Sequence, residues 1–256
     1  MKIQKIQPSH GMLWIKHGYR LIMRSPLHAL SLAMVFLMSL MLVMAIPIGG
    51  ILFAMLLMPV MMAGYMRVCR ALEYSEKVEP RYIFAGFESR TAQLVSVGGM
   101  LLVGMLVVSM ITVMLGGEAL NTLITSYQKQ PDSNVMLEAM LAPGSGLMPS
   151  LLTGLILLFV LMLALQYAPM LVYFDQKTPI EALKLSMQGS LRNIVPLTVY
   201  SMLMQLLAFV VSVIPYNLGI FIFLPIVLTS MYVSYRDIFV EEKVEASPTD
   251  IDQPAA

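Results

Sequence analysis

Six uncharged apolar stretches, each about as long as a bilayer is thick, divide this chain so that fifteen of its sixteen Lys and Arg residues fall on one side of them. A hydrocarbon core ~30 Å thick needs roughly 20 apolar residues as a helix. Leu27 to Ile46, Ile48 to Met66, Leu94 to Leu115, Ser150 to Tyr173, Val195 to Ile214 and Leu218 to Tyr235 fit that length. Between Arg24 and Arg67 the only Asp, Glu, Lys, Arg or His is His28, and between Arg192 and Arg236 there is none. Each interval holds two spans and reads as a hairpin, turned at Pro47 with Gly49 and Gly50 in the first and at Pro215-Tyr216-Asn217 in the second. With 58% hydrophobic and 12% charged residues, against about 25% charged in globular domains, the expected fold class is all-α. It is a polytopic membrane protein with six transmembrane helices in three hairpins.

Lys and Arg are retained on the cytoplasmic face, so the partition also predicts orientation. The basic residues sit before the first span, in the second and fourth connections and in the tail, whereas the long third connection, 116–149, holds Glu118, Asp132 and Glu138 against the single Lys129. The expectation is both termini in the cytoplasm and 116–149 outside, with helical candidates at Glu118 to Lys129 and Val135 to Ala142. The chain then divides into a basic amphipathic segment, 1–26, a membrane domain, 27–236, and an acidic tail, 237–256, whose composition is that of a disordered segment. About 26 residues precede the first span, too many for an ordinary signal-peptide n-region, so that span is expected to be retained.

Arg24, Pro47, Pro59 and Arg70 in the first hairpin match Arg192, Pro215, Pro225 and Arg236 in the last, with spacings of 23, 12 and 11 against 23, 10 and 11. Both copies start on the same side, so the repeat is parallel. The middle hairpin, with Pro169 late in its second helix, reads as a third, diverged copy. A helix-interior proline removes one hydrogen bond and clashes with the carbonyl four residues earlier. Pro59, Pro169 and Pro225 are therefore kink candidates that would free the carbonyls of Met55, Leu165 and Phe221.

An amphipathic segment is expected before each hairpin, most clearly before the last. In Thr178 to Asn193, Thr178 and Glu181 have capping-box spacing around Pro179; Ile180, Leu183, Met187 and Leu191 share one face, and Glu181, Lys184, Gln188 and Arg192 the other. Met12 to Arg24 is a rougher version, with Ile15, Tyr19 and Ile22 apolar, Lys16, Arg20 and Arg24 basic, and the chain's one tryptophan, Trp14. Both are expected in the headgroup layer, apolar face down. Anionic lipid should attract the five basic residues of 1–26 by ~1 kcal/mol each. The lipid-interface candidates are Trp14, Lys16, Arg20, Arg24, Lys184 and Arg192.

Apart from His28 at the start of the first, the spans hold no Asp, Glu, Lys, Arg or His, which removes the side chains a proton relay or an intramembrane enzyme needs. Gln166 and Gln205 are their strongest polar groups. No zinc-protease helix, serine-hydrolase elbow or phosphate-binding glycine loop occurs, and Gly144-Ser145-Gly146 reads as a linker. The 25 methionines include the stripes Met34, Met38, Met41, Met44 and Met55, Met58, Met62, Met66. Thioethers bind Cu(I), yet no Cys or His cluster accompanies them, and Met equally replaces Leu as apolar filler. No metal or other cofactor is expected; His10, His17 and His28 lack ligand spacing, and Cys69 reads as a small packing residue.

Met12, Gly18-Tyr19-Arg20-Leu21, Arg24-Ser25-Pro26, Ile83 to Phe87, Tyr167-Ala168-Pro169, Pro179 to Leu183 and Ser186 together resemble a group of uncharacterised bacterial inner-membrane proteins, the BPSS-type hypothetical membrane proteins. These are distantly similar to the membrane domain of some glycerophosphodiester phosphodiesterases. The resemblance implies residence in the bacterial inner membrane and carries no catalytic residue, because the soluble phosphodiesterase domain has no counterpart here. The expected role is a non-enzymatic, lipid-contacting scaffold or partner of an envelope complex. Its partners would be membrane lipids, anionic ones above all, and unknown proteins, with no nucleic acid and the oligomeric state unspecified. The alternative is a permease for a small or apolar solute, its path lined by the three proline-bearing helices.

Overall fold

In a bilayer an uncharged segment satisfies its backbone polar groups by becoming a helix. The structure, a computed structural model that describes residues 2–129, 146–215 and 218–240, has six helical segments long and apolar enough to cross one. The first unit comprises α1 (His10–Arg24), α2 (Pro26–Met44) and α3 (Gly50–Glu73). A 3₁₀ turn at Pro80–Phe84 and the short α4 (Ala85–Glu88) lead into α5 (Thr91–Lys129). The return path is α6 (Leu147–Leu165) and α7 (Ala168–Tyr173). The last unit comprises α8 (Pro179–Arg192), α9 (Ile194–Ser212) and α10 (Ile220–Ile238).

Several boundaries differ from expectation for local reasons. The second span does not stop at Met66; α3 runs on to Glu73, outlasting the apolar stretch because its last turns pack against α1 and α10. Gly117, at φ 51° and ψ −139°, breaks α5 where the third span ends, so the helix expected over Glu118 to Lys129 forms as a separate arm. The candidate at Val135 to Ala142 lies outside the described residues, as does the tail from 241. The tail does not begin at 237: Ile238 and Phe239 are buried, and β2 (Phe239–Val240) pairs antiparallel with β1 (Lys2–Ile3). Residues 2–26 are equally part of the membrane domain, since the first strand and α1 pack into its last unit.

The units are laced in a ring. The 3₁₀ turn and α4, which precede the middle hairpin, pack on α3 of the first hairpin; α8, which precedes the last hairpin, packs on α6 and α7 of the middle one. The helix before the first hairpin, α1, packs on α9 and α10 of the last hairpin and closes the circle. Small residues permit these approaches, as at lipid-immersed helix contacts generally. A Cβ on Gly64 would collide with the Ile83 carbonyl and one on Gly86 with that of Val60. One on Gly18 would lie 2.7 Å from the Ser230 nitrogen, and one on Gly11 2.6 Å from the Pro196 carbonyl oxygen. The second spans, α3 and α10, are the most buried; α2, α5, α6 and α9 present most of their surface outward.

Pro59 and Pro225 lie inside continuous helices. Pro169 does not: it stands in the first turn of α7, after a break at Gln166 and Tyr167, so it starts a helix rather than bending one. The opened bond belongs to Leu163 and Tyr167, not only to the Leu165 carbonyl that proline chemistry singles out. The Tyr167 N–H donates to Ser186 Oγ (3.1 Å), while Ser186 Oγ donates to the Leu163 carbonyl (2.9 Å), which Ser190 Oγ also reaches at 3.2 Å. A hydroxyl from α8 thus stands inside the i→i−4 ladder, a recognised cause of sharp helix breaks.

Candidate functional site at the basic end

The titratable side chains collect where the units meet at one end of the bundle. There α1 crosses from the start of α9, over α10, to the end of α3. Its buried face is Gly11, Trp14, Gly18, Leu21 and Ile22, not the Ile15, Tyr19 and Ile22 face expected to lie on lipid. Trp14 is therefore not a headgroup-layer anchor. It is fully buried, edge-on to Tyr200 (centroids 6.0 Å apart), and its indole N–H donates to Asp237 Oδ2 at 2.9 Å. Arg24 is likewise committed internally, donating to the carbonyls of Leu72 (3.0 Å) and Glu73 and thereby covering the C-terminus of α3. Lys16 and Arg20 remain exposed, on the outward stripe of α1 with Met12, Tyr19 and Met23.

Three carboxylates latch the ring. Glu73, at the end of α3, accepts from Tyr232 Oη of α10 at 2.7 Å and pairs with Arg236. Asp175, after α7, accepts from Tyr235 of α10. Asp237, at the end of α10, accepts from Trp14 of α1. Each joins two units through an aromatic donor, and sequence reasoning missed all three. Their signal was an acid at the very end of each second span on the side otherwise rich in Lys and Arg. Buried Asn193 adds a further tie, accepting from the Ile6 N–H (2.7 Å) and donating to the Gln4 carbonyl (2.9 Å).

Between α1, α3 and α10 lies a cleft of about 270 Å³ bordered by His17, Arg20, Arg24, Glu73, Tyr232 and Arg236. It holds three guanidinium groups against one carboxylate. Arg24 and Arg236 are engaged as described, whereas Arg20 has no hydrogen bond or ion pair among the described residues.

Around α8 the expected capping box is present: Glu181 N–H donates to Thr178 Oγ1 (3.4 Å) and Thr178 N–H to Glu181 Oε2 (3.2 Å). The Thr178 amide, then its hydroxyl, hold the Glu181 carboxyl below its usual range. The face of α8 turned into the protein is Ala182, Ser186, Gly189 and Ser190. Ile180 and Leu191 face outward with Lys184 and Arg192, leaving an apolar and basic exterior in keeping with an interfacial helix. Of the two intramembrane glutamines, Gln205 points outward and Gln166 is half-buried. The methionine stripes divide: Met38, Met41, Met44 and Met58 are exposed, Met62 and Met66 buried. Among the described residues no group of three or more His, Cys, Asp or Glu could hold a metal ion.

Over 216 residues the chain is 27% identical to a probable inner membrane protein of Burkholderia thailandensis, covering 83% of this chain and 78% of that protein. No family model and no solved structure matches. The six apolar helices and this similarity make the chain a multi-pass integral protein of the bacterial inner membrane.

Proposed function

We propose that the protein is a non-enzymatic scaffold of the inner membrane that holds anionic phospholipid at its basic end, presents that end to the cytoplasm and serves a larger envelope assembly. The observation that carries this reading is Arg20, a cation without a partner among the described residues, at the cleft between α1, α3 and α10 and flanked by the exposed Tyr19 and Met23. An outward stripe alternating apolar and basic side chains suits a headgroup layer, where each Lys or Arg contributes ~1 kcal/mol toward anionic lipid. A non-enzymatic role is favoured because the acids nearest the cleft are engaged as latches to Tyr232, Tyr235 and Trp14 rather than held free as bases. Orientation follows the retention of basic residues on the cytoplasmic side. The outward Gln205 gives the permease alternative no polar path to build on.

The test is the full chain reconstituted in nanodiscs of zwitterionic lipid with a minor fraction of phosphatidylglycerol, its retained lipid read by native mass spectrometry. Lys16→Gln with Arg20→Gln should weaken retention by ~2 kcal/mol, about thirtyfold, and the difference should shrink as salt rises. Equal retention by the variant and the parent at low salt would overturn the proposal.

A further inference from the structure

The opposite flank of α3 carries a second cleft, of about 340 Å³, at the junction of the first and middle hairpins, bordered by Arg67, Arg70, Glu76, Ser89, Tyr173 and Phe174. We propose that it is a binding site for a phosphate group, with Arg67 and Arg70 as its cationic donors and Ser89 as its hydroxyl. It shares no residue with the cleft beside α1.

Arg67 supplies the first argument. Its guanidinium is fixed over the Tyr82 ring, 4.4 Å from the centroid, and its Nη2 donates to Glu76 at 2.8 Å. Its Nη1 is buried and has no acceptor among the described residues. Buried donors are nearly always bonded, so this guanidinium, on a residue lining a polar cleft, keeps hydrogen-bonding capacity that its protein neighbours leave unused. Arg70, one turn on, lies over the rings of Phe174 (5.3 Å) and Tyr74 (5.9 Å) and has no carboxylate partner among the described residues. Ring stacking occupies the face of a guanidinium and leaves its in-plane fork of N–H donors available, the geometry that matches phosphate bidentately. Glu76 neutralises the Arg67 charge and leaves Arg70 as the cation of the lining without a carboxylate partner among the described residues, with the Glu88 carboxylate acting on Tyr173 from beside the cleft.

Depth supplies the second argument. Gly98 of α5 packs against the backbone of Met55 and Leu56 in antiparallel α3. The start of α5 at Thr91 is therefore level with Ala63 and Gly64, and Arg67 and Arg70 stand about one to two helical turns, ~5–10 Å, beyond it. That is where phosphates lie in a bilayer. Arg90, just before α5, donates to Gln176, just after α7, at 3.0 Å and ties together the two ends of the middle hairpin. Two sources share this chemistry, a lipid phosphate and free phosphate or a soluble phosphomonoester, and the experiment separates them.

The full chain, purified in neutral detergent, is titrated with inorganic phosphate and, separately, with short-chain phosphatidic acid, and binding is followed by native mass spectrometry. The expected result is saturable binding of at least one probe, weakened tenfold or more in Arg70→Gln and about threefold in Ser89→Ala. Arg70 is exposed and Ser89 is small, so these variants retain the fold where Arg67→Gln, which releases Glu76 and Tyr82, endangers it. Phosphatidic acid alone binding in this Arg70-dependent way assigns a lipid headgroup; phosphate binding assigns a soluble ligand. No saturable binding of either probe by the parent, or affinities unchanged in both variants, overturns the proposal. Neither substitution touches Lys16 or Arg20, so this site and the cleft beside α1 stand or fall separately.

Discussion

Replacing Gly18 with alanine distinguishes a docked α1 from one floating in the headgroup layer by the sign of the effect. In a free helix the change is favourable by ~0.8–1 kcal/mol, because glycine loses more backbone entropy on becoming helical. In the docked helix the new Cβ would stand 2.7 Å from the Ser230 nitrogen and 2.9 Å from its Cα. Those are backbone atoms of α10 and cannot swing aside as a side-chain tip would, so α1 must lift away from Tyr200 and Ser230. Overpacking of this kind costs ~1–3 kcal/mol, and against rigid backbone atoms the upper part of that range applies, which outweighs the gain in propensity and leaves a net loss of up to ~2 kcal/mol. Gly18→Leu should be worse, and Met12→Ala, on the exposed stripe, near neutral. The assay is thermal unfolding in detergent followed by the fluorescence of Trp14, the one tryptophan and fully buried against α9 and α10, so that its signal reports undocking directly. Gly18→Ala melting at or above the parent temperature, with Trp14 equally protected from a soluble quencher, would refute the docked arrangement.

Ser186→Ala should lower stability by ~1–3 kcal/mol in the same melting assay, because it strips a partner from both the Tyr167 N–H and the Leu163 carbonyl inside the membrane. Changing Met34, Met38, Met41 and Met44 together to Leu should leave expression and melting nearly unchanged, since three of the four face outward and such swaps cost less than ~1.5 kcal/mol each; loss of stoichiometric copper on that change would contradict the filler reading. Reporter fusions at Ser75 and Lys177 should read cytoplasmic and at Gln128 periplasmic; a cytoplasmic Gln128 fusion would invert the proposed orientation.

The spans were legible because an uncharged run some 20 residues long leaves the chain almost no alternative to a helix, and Leu27 to Ile46 against the observed Pro26–Met44 shows how closely length alone sets the bounds. The capping box of Thr178 and Glu181 was legible because both of its bonds are local. The docking of α1 was not, since amphipathicity reports that a helix has an apolar face and not what covers it. Its signal lay in Gly11 and Gly18, two turns apart and on the face of Trp14: small residues there favour close helix approach over insertion among lipid tails. Pro169 misled for a related reason. A proline inside an apolar run predicts a bend, but the actual break is set by Ser186, a residue of another helix, which no reading of the span itself could supply. Glu73, Asp175 and Asp237 escaped notice because their roles depend on aromatic donors up to 223 positions away.

The closure of the ring by α1 also sets an order of events in biosynthesis. This helix is among the first parts of the chain to be made, yet the surfaces that cover Trp14, Gly18 and Ile22 belong to α9 and α10, roughly 200 residues later. At ~5–20 residues per second of synthesis, its apolar face waits on the order of 10–40 s without a native partner. During that interval the bilayer surface is the natural place for it. A helix amphipathic enough to lie on lipid and a structure that buries its Trp14 face are therefore two stages in the life of one helix, and the β1–β2 pairing can form only once translation has passed Val240. Truncation anywhere before α10 should strand α1 at the membrane surface with Trp14 open to quenchers, even when the first two hairpins have already inserted.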